Sequence, residues 1–388
     1  MRWTARISEP ELSTHQRLIA RVFVEVDGSE LARRRGKGQF LVLVQVNDEK
    51  GGVWQNHQEM DLERVEEGIK ANDALFSQIF FVLPGEYRIS IAIFDNATKE
   101  HSIVTRKLHV APLKNDPLPG AWSDLPAIEF LPPPTDPDRW YLPTIEGKLR
   151  LAVETHEPVH VSLLVNLTPS ERSSGSTRVQ NRNFEVLLPA AKLLSQADWG
   201  NAAYSVSLLD LARRRVIYGQ DDAPNLPRNA RGMDWSRLDS ALTDVNPGMI
   251  DVKSLENRQH SADFFIDQIR RSIEEPSGRR RSQVVIVLSS MVQFEPGQEL
   301  RPIPLTDSTD VKLFYVRFES RSQFVPGPAA IGRRGRPGNG RWPSSAPYPG
   351  IDQLEPLLKP LEPRLFQIGT QDEFRKALAT ILARIAQL

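Results

Sequence analysis

Val161-Ser-Leu-Leu-Val-Asn-Leu-Thr-Pro-Ser170 is an apolar run that ends in polar residues spaced two apart, Asn166, Thr168 and Ser170. It is short and rich in Val and Leu, which suits a strand buried on both faces rather than an amphipathic helix. Such a strand belongs at the centre of a parallel sheet. Its carboxyl end then sets Asn166, Thr168 and Ser170 in the crevice where open α/β sheets hold their ligands.

Downstream, helical and strand patterns alternate. A helix is expected near 183–196, then a strand pair at 204–210 and 215–218. Helices near Trp235–Thr243 and 261–273 follow, the second with Phe264, Phe265, Ile269 and Ile273 on one side. Residues 283–288, Val311–Phe318 and Arg364–Ile368 read as further strands. Before the last helix, Thr370 and Glu373 fit a capping box, and Phe374, Ala377, Leu378, Ile381, Leu382 and Ile385 make one apolar stripe. Together these imply an α/β domain over 149–388 with a doubly wound, mostly parallel, Rossmann-like sheet. An irregular insertion at 321–350 interrupts it, dense in Gly and Pro and carrying Arg333, Arg334, Arg336 and Arg341. A stretch of this length without periodicity is either a mobile surface excursion or a functional loop.

Upstream, residues 1–112 read as all-β. Runs at 18–26, 40–46, 79–83, 87–94 and 103–110 are β-branched or aromatic and are separated by Asp-Gly, Gly-Gly, Pro-Gly and Asp-Asn turns. This is the pattern of a β-sandwich. Pro84 and Gly85 suit the centre of a type II turn, after which Tyr87 restarts a strand whose Ile89, Ile91 and Ile93 share the buried face. Residues 113–148 form a Pro-rich linker around Leu131-Pro-Pro-Pro134, stiff by composition. Its aromatic residues Trp122, Phe130, Trp140 and Tyr141 are expected to pin it to one or both domains.

The chain has 388 residues, enough for two domains, and its 49 basic and 49 acidic residues balance. No net field draws it to nucleic acid or acidic lipid. The Arg triplets at 33–35, 213–215 and 279–281 read as solvated turns. Absence of cysteine excludes disulfides, thiolate metal sites and cysteine nucleophiles. Neither a signal-peptide core at the start nor an apolar run long enough to span a bilayer is visible in the sequence given.

In the run ending Asn166-Leu-Thr-Pro-Ser170 the chain resembles von Willebrand factor type A domains, whose first strand ends in Asp-x-Ser-x-Ser and holds a divalent cation. The turn–strand pattern from Leu83 to Lys99 resembles the immunoglobulin-like modules that accompany such domains in bacterial extracytoplasmic proteins of the VWFA-related family. The resemblance implies an N-terminal immunoglobulin-like β-sandwich, a C-terminal type A-like domain, and a setting outside the cytoplasm, periplasmic or secreted. It also implies a cation site, and here the chain departs from the family. Asn166 replaces the first acid, Thr168 and Ser170 match the two hydroxyls, and Ser261 stands for the loop hydroxyl. After Leu288 the family's Asp-Gly is replaced by Ser289-Ser290-Met291. Carboxylates supply most of the attraction for Mg²⁺ or Mn²⁺, so the expectation is a degenerate site with no metal or other cofactor. Asp251, Asp263 and Asp307 are the acids that could stand in.

Other chemistries find less support. His156-Glu-Pro-Val-His160 has the letters of a zinc protease motif, but Pro158 opposes the helix that motif needs. No phosphate loop, nucleophile elbow or paired carboxylates at interpretable spacing occur. The expectation is a non-catalytic interaction or scaffolding protein with a protein partner and no evident small-molecule substrate, its top face lined by Asn166, Thr168, Ser170, Ser261 and Ser290. The alternatives are a hydrolase with a repurposed Ser-rich face, through Ser170 or Ser290, and a polyanion contact through residues 332–341.

Overall fold

This computed structural model describes residues 1–36, 38–132, 145–167, 177–200, 202–211, 213–222, 233–243, 261–274, 282–294, 300, 303, 311–319 and 352–388. The chain divides into two compact units, Met1–Asp116 with Asp124–Lys148, and Pro117–Ser123 with Leu149–Leu388. Thr168, Ser170, Trp140, Tyr141, Asp251, Asp307 and the insertion with Arg333, Arg334, Arg336 and Arg341 lie outside the described residues.

The first unit contains β1 (Trp3–Ile7), β2 (Glu11–Leu12), β3 (Leu18–Val26), α1 (Gly28–Arg33), β4 (Gln39–Asp48), β5 (Val53–Asp61), β6 (Ala74–Val82), β7 (Gly85–Asp95), β8 (His101–Val110) and β9 (Ile128–Phe130). They make two antiparallel sheets, β1-β3-β6-β9 with β2 beside β3, and β5-β4-β7-β8. Strand alternation decides what is inside: Phe40, Val42, Val44 and Val46 of β4 and Ile89, Ile91 and Ile93 of β7 are all buried. Gln78 Nε2 crosses between the sheets to the Val42 carbonyl at 2.9 Å, so the nitrogen of this buried amide has a partner.

The bend before β7 differs from the expected type II turn. Gly85 has φ +158°, which is extended backbone already paired in β7, so the reversal is made at Leu83 and Pro84. Tyr87 closes the bend by donating its hydroxyl proton to the Leu83 carbonyl at 3.0 Å. Burial, then the Asp48 charge, pushes the Tyr87 phenol up to about 12. Elsewhere in this unit Arg17 pairs with Glu129, and the Glu129 carboxylate accepts the backbone N–H groups of Glu146 at 2.6 Å and Gly147 at 3.2 Å. That ion pair fastens residues 146–147 to β9. A Cβ at Gly147 would lie 2.6 Å from Arg17 Nη1 and 2.7 Å from Glu129 Oε2, so a larger residue there would displace the ends of this ion pair.

The second unit is built from β10 (Val159–Asn166), α2 (Thr177–Ser195), β11 (Ala203–Asp210), β12 (Arg215–Asp222), α3 (Trp235–Thr243), α4 (Ser261–Glu274), β13 (Ser282–Ser290), β14 (Val311–Phe318), α5 (Leu354–Leu358), β15 (Arg364–Ile368) and α6 (Gln371–Ile385). Its sheet runs β12-β11-β10-β13-β14-β15, all parallel except the edge strand β12. Counted from β10 this is the doubly wound order 3-2-1-4-5-6. α4 packs on the face carrying Leu164, Val285 and Val287. The alternate residues Val161, Leu163, Val165, Val284, Ile286 and Leu288 are equally buried, and α2 also packs on β10 and β13. Helices on both sides explain why these strands read as continuous apolar runs. At the C-terminus Thr370 and Glu373 form the capping box, and the α6 stripe from Phe374 to Ile385 is buried.

Candidate functional site at the carboxyl edge of the parallel sheet

Connections leave β10 toward β11 on one side and enter β13 on the other, so the carboxyl ends of β10 and β13 flank the topological switch point. The parallel register pairs Val165 with Leu288, which brings Asn166 level with Ser289. Asn166 Nδ2 donates to Ser289 Oγ at 2.9 Å, and both residues are fully buried. Among the described residues Asn166 Oδ1, also buried, has no hydrogen-bond partner. An acceptor of this kind is uncommon and marks a point of the crevice that the described residues leave incompletely satisfied.

Ser289, not Ser290, therefore meets Asn166. Successive strand residues point to opposite faces, and Ser290 pairs at the strand end with Phe318 of β14. Sequence reasoning placed Ser290 on the top face, reading Ser289-Ser290-Met291 where the family has Asp-Gly, and the parallel register is the signal that sets Ser289 against Asn166. Ser261 is the first residue of α4 and is buried, and Ala262 beside it joins the apolar cluster on the Asn166 side of the sheet. The short connection from α4 to β13 puts the amino end of the helix toward the carboxyl ends of the strands.

Two carboxylates at this end of the sheet are bound by neighbouring donors. Asp210 ends β11 and accepts the Arg213 backbone N–H at 3.1 Å, with Arg213 Nη1 at 3.5 Å and Arg215 Nε at 3.7 Å. Arg213 and Arg215 thus flank a buried acid, from a turn that sequence alone suggested was solvated. Asp352 accepts from Val292 N at 3.1 Å, Leu354 N at 3.3 Å, Tyr315 Oη at 3.0 Å and Arg317 Nη1 at 3.1 Å. Burial first, and then the Asp352 carboxylate, push the Tyr315 phenol well above its usual range. For Arg317 burial acts downward, but Asp352 outweighs it and the guanidinium is held more firmly protonated. Asp352 was missed in the sequence because it lies far from β14 along the chain. Asp263 lies exposed in the first turn of α4.

The motif His156-x-x-x-His160 has no helix: His156 sits on a bend and His160 is the second residue of β10. His160 Nδ1 lies 3.1 Å from Gln283 Oε1 and 3.4 Å from Ser162 Oγ, and Ser205 Oγ donates to Ser162 Oγ at 3.1 Å. This Ser–His contact lies in the amino half of β10, away from Asn166, and Ser162 is buried. Among the described residues there is no group of three or more His, Asp or Glu side chains placed to hold a metal, and no helix is long and apolar enough to cross a membrane.

No family model matches the chain, and no curated protein matches it. Among solved structures it overlaps the ArnB paralog VWA2 from Sulfolobus acidocaldarius at 9% identity and a TM-score of 0.29, over 76% of this chain and 49% of that one. It overlaps Bacteroides uniformis β-glucuronidase at 10% identity and a TM-score of 0.20, over 73% and 33% of the two chains. A structural genomics target, SoR45, overlaps 29% of this chain and 92% of its own at 9% identity and a TM-score of 0.17. The chain thus spans about half the length of the first of these structures. What stands independently of these partial overlaps is a mixed α/β chain with several sheets, described by its own strand order.

Proposed function

We propose that the chain is a non-catalytic protein-interaction or scaffolding module that presents the carboxyl edge of its parallel sheet to a protein partner without using a bound cation. The observation that carries this reading is the neutral Asn166–Ser289 hydrogen bond at the switch point. A divalent cation needs hard oxygen donors with enough negative charge to replace its hydration. The described donors at that point are an amide and a hydroxyl, while Asp210 and Asp352 at the same end are held by arginines and backbone N–H groups. This donor set does not fit Mg²⁺ or Mn²⁺. The sequence resemblance to type A domains, together with the doubly wound strand order, supports reading the unit as a member of that fold group with a degenerate cation site. The resemblance of the first unit to immunoglobulin-like modules supports a setting outside the cytoplasm.

Photo-crosslinking in the native host tests the reading. Crosslinkers placed at the exposed Asp263, in the first turn of α4, and Glu319, directly after β14, should capture discrete protein adducts that persist in EDTA, and one placed at the exposed His156, at the opposite end of β10, should not. Adducts abolished by EDTA, or equal capture from both ends, would overturn it.

A further inference from the structure

Among the described residues, the largest fully buried side chain is a charged one: Arg375 of α6 is 1% exposed. A guanidinium taken out of water must be compensated by hydrogen bonds or other electrostatic partners. Arg375 Nη2 donates to the Leu118 carbonyl at 3.0 Å, and its guanidinium carbon lies 4.8 Å from the centre of the Trp122 ring. Both contacts come from Pro117–Ser123, a segment far away in sequence that nevertheless belongs to the second unit. The same segment accepts the Arg150 backbone N–H at the Ala121 carbonyl, 2.9 Å away, and Ala121 is buried.

We infer that Pro117–Ser123 is a strap on the second unit, locked shut by Arg375 and able to open while the parallel sheet stays folded. Its exposure pattern supports independent opening. Pro117, Pro119, Gly120 and Ser123 are exposed, Leu118 and Trp122 are half-buried, and only Ala121 is fully covered. Segments with little buried apolar surface and few protected backbone hydrogen bonds open locally, well below the free energy of global unfolding. Turns close the segment on itself, the Ala121 N–H donating to the Leu118 carbonyl at 3.1 Å and the Ser123 N–H to the Gly120 carbonyl at 3.3 Å, so it can leave without breaking its own hydrogen bonds. Opening uncovers the Arg375 guanidinium on α6 and removes a carbonyl and a ring that it meets in the closed state. The strap is therefore a conformational device whose closed state engages a buried cation.

Hydrogen exchange on the full chain, resolved by mass spectrometry, tests this. In the native chain the amides of 118–123 and of Arg150 should exchange well before those of β13, by about a hundredfold or more for an event far below global unfolding. Trp122→Leu keeps apolar bulk but removes the ring face, and should speed exchange at these amides about threefold to thirtyfold, leaving β13 unchanged. Arg375→Lys keeps the charge but loses the planar fork, and should act on the same amides. If Arg375→Lys fails to fold, Trp122→Leu decides alone. Strap amides that exchange only at the rate of β13, or that ignore Trp122→Leu, or acceleration spread evenly over β13, would overturn the inference.

Discussion

Replacing Asp352 by alanine removes an acceptor shared by Val292 N, Leu354 N, the Tyr315 hydroxyl and Arg317. The side chains involved are largely out of water, with Asp352 2% and Arg317 11% exposed in this pair. Arg317 keeps Glu355 at 3.1 Å, but that carboxylate is half-exposed and its contribution is screened. Breaking a buried pair costs about 3–5 kcal/mol, and the stranded donors lie within that figure rather than on top of it. For a unit of this size each kcal/mol moves Tm by about 2–4 °C, so Asp352→Ala should lower the second unit's transition by roughly 6–20 °C. Urea unfolding followed by exchange in the β13 and β14 peptides isolates that unit. Tyr315→Phe alone should cost about 1 kcal/mol, and much less in the Asp352→Ala background, where the hydroxyl has already lost this acceptor. A loss below about 1 kcal/mol for Asp352→Ala, or equal costs of Tyr315→Phe in both backgrounds, would refute the assignment of Asp352 as the anchor of this edge.

Arg34 in the first unit gathers Glu30 at 2.7 Å, Asp95 at 3.2 Å and Glu100. Burial raises Glu30 but Arg34 and Arg33 outweigh it, and burial raises Asp95 but the Thr98 and Ala97 hydrogen bonds and Arg34 outweigh it, so both carboxyls sit below their usual range. Depressed carboxyls contribute stability above their unfolded pKa of about 4 that is lost as pH falls through the folded values. Arg34→Met should therefore lower stability at neutral pH and shift the onset of acid unfolding of the first unit upward, as read by circular dichroism against pH. An unchanged acid limb would contradict the cluster. At the alkaline end, the Tyr87 phenol titrates at about 12 in the folded unit. A raised phenol pKa contributes stability that is complete below the unfolded value of about 10 and is lost as pH rises through the folded one. Tyr87→Phe should lose less stability than the native chain between these values, and an identical alkaline profile would count against the burial of the Tyr87 phenol beside Asp48.

The parallel sheet was legible because each of its central strands is buried on both sides and so carries no polar interruption until its carboxyl end. β10, β13, β14 and β15 all lie where the apolar runs placed them, and α6 opens at the capping box read from Thr370 and Glu373. α2 was partly missed, starting at Thr177 rather than near Asn183, because its first turns carry no apolar stripe to announce them. The Pro84–Gly85 turn was misread since Gly permits the extended φ as readily as the left-handed one, and pairing with β8 chose the former. The partner of Asn166 was invisible to local pattern because it is fixed by register between strands distant in sequence. Asp352 and Arg375 escaped for the same reason. Each is a charged residue whose partners come from remote segments, and local periodicity carries no information about such pairs.

The central claim is that the carboxyl edge of the sheet works without a cation, and calorimetric titration of the intact chain with Mg²⁺, Mn²⁺ and Ca²⁺ addresses it most directly. The same titrations should be run on Asn166→Asp combined with Ser289→Asp, which restores acids at the two residues that meet across β10 and β13. The account predicts no binding heat from the native chain and measurable binding by the double variant. Tight binding of any of these ions by the native chain would contradict it.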